Sequence, residues 1–407
     1  DCAITSVTFG TLKRTFHTTS KSGADSTYRG TYSAASYKFT IDQYKREIYN
    51  VDSLPEGTDS TKILLTFGTR NGGTVYIKSA TSDSLFYITS TDSIDFTTNP
   101  QQFRVYSNDG TCSALYKLKI NIHKELPKKM TWNAPYTAEA LKDGVQSIAE
   151  LGGNLFVKTP SGICSTDIRS GKTWNSLSGG PSAEQPIVAH QGYIYSTDGK
   201  GNLVRTKDCV NWENNISTTA PMGINKLLGS SAGKLYAIAN DAAGNSPLVS
   251  INTETGTATP EEFYDPAIAN YVASANSICA AKNEQGTTII GNITNADNSL
   301  STFVLYKPEN TATPQKWMLL SNAFDQNLPD SYVEVVSYSD YLVALANGKL
   351  YSSLDYGRSW QQRYFLYAPS ALSKDAVSHI HADSHGILWI FAPNGQVFTG
   401  KLNEMAW

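Results

Sequence analysis

Charge is scarce in this chain. Asp, Glu, Lys and Arg together make up 17% of 407 residues, and the formal net charge is -3. A nucleic-acid footprint needs a basic face, and no basic run supplies one. No uninterrupted apolar stretch approaches the roughly 20 residues that a membrane-spanning helix requires. The five cysteines stand singly at Cys2, Cys112, Cys164, Cys209 and Cys279. No CxxC or Cys/His spacing therefore frames a zinc site, and the odd count leaves at least one thiol unpaired. Glycine-rich phosphate loops, dinucleotide fingerprints and a Ser-His-Asp arrangement are also missing, so no cofactor is expected. The chain opens on Asp1-Cys2-Ala3 with neither Met nor a signal-like segment. It reads as a mature or trimmed form, which leaves targeting evidence missing rather than negative.

Ser, Thr, Asn, Gly and Tyr are abundant, and Tyr alone occurs 23 times. That mixture suits exposed strands and turns better than long solvated helices. The length predicts two or more domains, and the grammar of the chain changes near residue 126. Before it, short runs alternate apolar and polar residues, as in Ile4-Thr5-Ser6-Val7-Thr8-Phe9 and Phe103-Arg104-Val105-Tyr106. Period-two runs separated by turns predict an all-β sandwich over residues 1–126. Asn108-Asp109-Gly110 between two such runs predicts a hairpin, because glycine accepts the positive φ these turns need. The polar, Pro-containing segment 124–129 marks the junction.

The run Phe103–Tyr106, the turn after it and Tyr116-Lys117-Leu118-Lys119-Ile120 resemble the cadherin-like and immunoglobulin-like sandwiches of bacterial surface proteins. The resemblance covers the last third of the domain well and the rest loosely. It implies a first strand beside the last, which would put Cys2 and Cys112 at one end. A disulfide between them is one reading, and two small buried thiols the other.

From about residue 130 a repeat of roughly 38 to 55 residues appears, in the range of a four-stranded propeller blade. Each unit holds an apolar strand, a Gly turn, a second strand, a Ser/Thr-x-Asp turn and a Trp. Six units predict a six-bladed β-propeller over residues 127–407, so the whole chain is expected to be all-β. Ser353-x-Asp355-x-Gly357-x-Ser359-Trp360 matches the Asp-box of sialidases and many secreted propellers in full. Asp208 to Trp212 is a shortened form, and Asp167 to Trp174 carries two extra residues. In such turns a side-chain oxygen accepts backbone N–H bonds and Gly supplies an unusual conformation, so these carboxylates organise turns. Residues near Trp132 or the segment 404–407 would complete the last blade. Segments 259–270 and 292–301 read as loops.

The Asp-box resemblance raises sialidase chemistry, which grips a substrate carboxylate with three arginines. The repeat region has only Arg169, Arg205, Arg358 and Arg363, and none falls in a sialidase motif. Glycosidases of other types need paired carboxylates. Glu150, Glu184, Glu334 and Asp383 lie outside the boxes, with no sign of pairing. His379, His381 and Asp383 share a strand face, but Asp383 and Gly386 also fit a turn that opens a blade, and no metal is expected.

Propellers commonly bind ligands where the innermost strands begin, around the channel. In this register those positions are Gln146, Gln185, Asn225, Tyr271, Tyr332 and His379, with His381 two residues on. Aromatic faces with amide partners suit sugars or peptides. A strand-rich module followed by an Asp-box propeller is similar to uncharacterised surface lipoproteins of glycan-using gut anaerobes. That resemblance implies an outer-membrane lipid anchor upstream of residue 1, and polysaccharide or a surface protein complex as partner. The expectation is a non-catalytic extracytoplasmic binding protein. The alternatives are a glycoside hydrolase or lyase, and a scaffold that assembles a membrane complex.

Overall fold

The computed structural model describes residues 2–181, 185–216, 223–273, 277–282, 286–309, 311–320, 327–374 and 376–404, apart from the side chains of 214–216, 273 and 277–282. The chain divides into two compact units that meet in sequence between Lys129 and Met130.

The first unit is a sandwich. One sheet orders Ile4–Phe9, Ile63–Thr69 and Ser93–Ile94. The other orders Phe39–Asp42, Glu47–Asn50, Ser113–Lys119, Gln101–Tyr106, Thr74–Lys78 and Leu85–Tyr87. A two-stranded ribbon, Thr11–Thr19 with Asp25–Ser33, completes it. Alternation selects the core: Phe103 and Val105 are fully buried while Arg104 between them is part-exposed. The hairpin at Asn108-Asp109-Gly110 pairs Tyr106 with Ser113, and Gly110 takes φ +69°. Asp109 accepts from the Ser107 hydroxyl and the Thr111 amide, so its carboxyl sits well below the usual range, at about 2.

One expectation fails here. The first strand, Ile4–Phe9, pairs with Ile63–Thr69, in the sheet opposite the last strand, Ser113–Lys119. Cys2 and Cys112 nonetheless meet as a disulfide, with Cα atoms 6.0 Å apart. The bond joins the two sheets rather than neighbouring strands.

The second unit is a six-bladed propeller. Blades one to four are antiparallel four-stranded sheets opening on Ser147–Leu151, Val188–His190, Gly223–Ser231 and Ser277–Lys282. Blade five has three strands, Val333–Tyr338, Tyr341–Ala346 and Lys349–Ser353, with a bridge from Ser352 to Gln361 in place of a fourth. Blade six orders His379–Ala382, Ile387–Ala392 and Gln396–Asn403, and its outer strand is Lys129–Trp132 from the other end of the chain. The strand near Trp132 thus closes the ring; residues 405–407 lie outside the described residues.

Because each blade is covered on both faces, its strands read as near-continuous apolar runs, such as Tyr341–Ala346, buried throughout. Cohesion lies between blades. The cluster around Leu155, Val157, Trp389 and Phe391 joins blades one and six, and that around Phe156, Ile163, Ile187 and Ile194 joins one and two. Four further clusters join the remaining neighbours in order.

The turns are built as their composition predicts. The Ser353 hydroxyl accepts from Gly357 N at 2.8 Å, and Asp355 accepts from the Ser359 amide and hydroxyl. The Trp360 indole N–H closes onto the Gly357 carbonyl at 3.0 Å. Asp208 takes the Val210 and Asn211 amides in the same manner, and Trp212 donates to Cys209 O. The two extra residues after Asp167 change the outcome. Asp167 still accepts from Arg169 N, but the Trp174 indole turns to the Tyr136 hydroxyl. Gly357 holds φ +97°, and a Cβ there would lie 3.0 Å from Val304 and 3.2 Å from Thr288. Gly357→Ala is therefore expected to cost roughly 1–3 kcal/mol, read as a lower midpoint in chemical unfolding.

Two segments expected as loops carry structure. The first is flanked by the strand Thr257–Pro260 and the short helix Ile268–Ala273, which overlap its two ends. In the second, only 295–299 turns between Gly286–Thr294 and Leu300–Pro308.

Candidate functional site

Among the described residues, the inner edges of blades one, two, three, five and six line the central channel. Its mouth is a cavity of about 360 Å³. Blade one contributes Gln146 and Glu150, blade three Lys226 and Ser230, blade five Tyr332 and Glu334, and blade six His379 and His381. Residues two or four apart on an unbroken strand share a face, which brings Gln146 with Glu150, Tyr332 with Glu334 and His379 with His381 to the channel together. Lys226 and Ser230 are separated by a bulge between Leu227 and Gly229.

Glu334 organises one side. One carboxylate oxygen meets His379 Nδ1 at 2.6 Å and accepts from the Tyr332 hydroxyl at 2.7 Å, and the other accepts from Ile380 N at 3.0 Å. The Tyr332 ring stands edge-on to the His379 imidazole, with centroids 6.1 Å apart. Burial pushes the Glu334 carboxyl up, but the His379 charge and these hydrogen bonds outweigh it and hold the group below its ordinary value. Burial likewise pushes His379 down, and the carboxylate together with a bond to the Val145 carbonyl reverses that and raises it. Both shifts favour the charged forms, an imidazolium against a carboxylate.

Glu150 organises the other side. It accepts from the Ser384 amide at 2.9 Å and from the Ser384 hydroxyl, and lies 3.6 Å from His381 Nε2. Burial raises this carboxyl too, and the nearby His381 imidazole with the Ser384 donors brings it below its usual value. Blade six is thus tied on both flanks by a carboxylate from a neighbouring blade. Hydrolysis of a glycoside needs a carboxylic acid whose pKa is raised. Both channel glutamates are shifted the opposite way, so they present ionised acceptors in fixed positions.

Of the residues expected at the mouth, Gln146, Tyr332, His379 and His381 come together. Gln185 does not line the cavity; its carbonyl oxygen accepts from Thr197 Oγ1 at 2.5 Å. Asn225 is exposed at a bulge, where the register jumps from Ile224↔Ala239 to Lys226↔Ile238, and Lys226 takes the inward position. Tyr271 sits on the helix Ile268–Ala273, packed edge-on against Phe303 at 5.8 Å, not on an innermost strand. Glu150 and Glu334 belong to the site, although the sequence shows no pairing between them. Strand alternation was the usable signal, since Glu334 is two residues from Tyr332 and Glu150 four from Gln146.

Asp383 is a turn organiser. It accepts from His385 N and Ile387 N, both at 2.9 Å, and from the buried Trp389 indole at 2.8 Å. Glu184 lies outside the described residues. Among the described residues no group of three His, Cys, Asp or Glu side chains is arranged to hold a metal. None of the four arginines lines the cavity: Arg205 pairs with Glu213, Arg363 donates to Ser352, and Arg169 and Arg358 are exposed on turns. Cys164 and Cys209 are buried free thiols, and burial pushes Cys209 up to about 12.

Fold and channel together define an all-β protein with a sandwich domain and a C-terminal β-propeller of unknown function. Residues 7–120 match the N-terminal domain of the DUF6242 family, and residues 126–407 match the DUF6242 β-propeller domain. The chain belongs to that family. Among solved structures it is similar to a DUF4623 family protein from Bacteroides eggerthii, at 12% identity over 99% of both chains and a TM-score of 0.39. It is also similar to virginiamycin B lyase from Staphylococcus aureus, crystallised as an inactive variant with quinupristin. That match has 10% identity over 67% of this chain and 99% of the lyase, with a TM-score of 0.41. YCF48 from Cyanidioschyzon merolae matches at 14% identity over 74% of this chain and 91% of its own, with a TM-score of 0.38. No curated protein matches the chain.

Proposed function

We propose that this is a non-catalytic, extracytoplasmic binding protein whose propeller holds a glycan at the channel mouth. The observation that carries the reading is the state of the two channel glutamates. Each is held below its ordinary pKa and engaged by donors on blade six, in a polar cavity that the part-exposed Tyr332 also lines. Such a site offers fixed hydrogen-bonding groups and no proton donor of the kind glycoside cleavage uses. The Cys2–Cys112 disulfide supports an oxidising compartment. A lipid anchor upstream of residue 1, on an outer membrane, would place the channel where polysaccharide is met. The turns around Asp167, Asp208 and Asp355 are assigned to the Asp-box type, with a structural role.

The test is a glycan array probed with the intact chain and with Tyr332→Ala and His379→Ala. Retention of at least one glycan class is expected. Each substitution is expected to weaken it at least tenfold, or about 1.4 kcal/mol. Retention of nothing, or variants that bind unchanged while folded, would remove the glycan reading.

A further inference from the structure

Tyr332 lines two cavities. On one side is the channel mouth; on the other is a groove of about 370 Å³ lined by Asp330, Ser331, Asn347, Lys374, Val377 and Ser378. Each volume is near the lower end for a small-molecule site, so each suits one compact unit rather than a large ligand. Tyr332 is a fixed wall between them, its hydroxyl tied to Glu334 and its ring set against His379. Two adjoining compartments of similar size with a shared aromatic wall fit a chain of repeating units.

Each compartment also holds a lysine. Among the described residues neither Lys226 in the channel nor Lys374 in the groove pairs with a carboxylate. The acids lining the two cavities are, among the described residues, engaged: Glu334 with His379, Tyr332 and Ile380, Glu150 with Ser384 and His381, and Asp330 with Thr302 N. Among the described residues, the uncommitted lysines are therefore one per compartment. A lysine ammonium is a point charge suited to a single carboxylate. In the groove, Ser331, Asn347 and Ser378 bring hydrogen-bonding groups, and Val377, 53% exposed, gives an apolar contact for the C–H face of a ring.

We propose that the site takes a linear acidic oligosaccharide, with adjacent uronate units on either side of Tyr332 and their carboxylates held by Lys226 and Lys374. This rests on the channel mouth being a glycan site and names the glycan class. The experiment is calorimetric titration of the intact chain with galacturonate, mannuronate and glucuronate oligosaccharides of one to four units. Their carboxyl-reduced counterparts and an oligoglutamate peptide serve as controls. Affinity is expected to rise about tenfold or more from one unit to two or three. Reduction of the carboxyls is expected to weaken binding about tenfold or more, the scale of a lost hydrogen bond to a charged group. Lys226→Gln is expected to weaken both monomer and oligomer, and Lys374→Gln only the oligomer. Lys226 is part-exposed and Lys374 exposed, so both variants are expected to fold, which circular dichroism checks. Equal affinity for reduced oligosaccharides, no gain with length, or tighter binding of the peptide would overturn the proposal. Binding of neutral glycans that Tyr332→Ala abolishes would sink the acidic class and leave the glycan site standing. Binding of no saccharide at all would sink both.

Discussion

Trp389→Ala is expected to destabilise the propeller by about 3–5 kcal/mol, the range for truncating a large buried aromatic. Trp389 is 1% exposed and stacks on Phe391 in the cluster that joins blade six to blade one. Its indole N–H donates to Asp383, whose other oxygen holds the turn that opens the blade. Gly171 of blade one closes over the ring: a Cβ there would lie 2.7 Å from it. One side chain thus links the turn, the blade and the neighbouring blade. Trp389→Phe keeps an aromatic ring in the stack but removes the N–H and part of the indole's volume, so its cost should be smaller, about 2–3 kcal/mol. Urea unfolding of both variants, followed by intrinsic fluorescence and circular dichroism, measures the two costs. Equal losses would show that the N–H and the indole edge under Gly171, not the stacked ring, carry the effect.

Glu334→Ala is expected to cost roughly 3 kcal/mol, the low end for removing one partner of a buried pair, because the carboxylate is 19% and the imidazole 12% exposed. The effect should depend on pH with a definite sign. Glu334 is shifted below its ordinary 4.5, so its contribution is present above that pH and disappears as pH falls through the folded value. His379 is shifted above 6.5, so its contribution is complete below 6.5 and disappears as pH rises through the folded value. The pair therefore stabilises most between about pH 4.5 and 6.5, and the gap between wild type and variant should narrow on both sides. Thermal midpoints from pH 3 to 9 would measure this. A gap that stays constant across the range would mean that packing, not the ion pair, links blades five and six.

Much of this arrangement was legible in the residues. The Ser353–Trp360 turn could be written down from its composition, because its oxygen, glycine and indole roles are all local. Asn108-Asp109-Gly110 announced its hairpin for the same reason. Tyr332, His379 and His381 could be placed on the channel because strand alternation fixes which face a residue takes. Asn225 failed because one bulge residue shifts every later side chain to the other face, and a bulge has no reliable mark in a single sequence. Tyr271 failed because the segment before blade four folds as a helix, packed on Phe303 rather than paired in a sheet.

By itself, then, the sequence determined the all-β class, the two regions, the count of six blades and the chemistry of the turns. These depend on periodicity and on contacts a few residues apart. Tertiary structure decided which strand closes the ring, that the disulfide joins opposite sheets, and that Glu150 and Glu334 each reach across to blade six. Partners 110, 234 and 45 residues apart meet only once the strands have paired, and no local pattern records which long-range pairing is made.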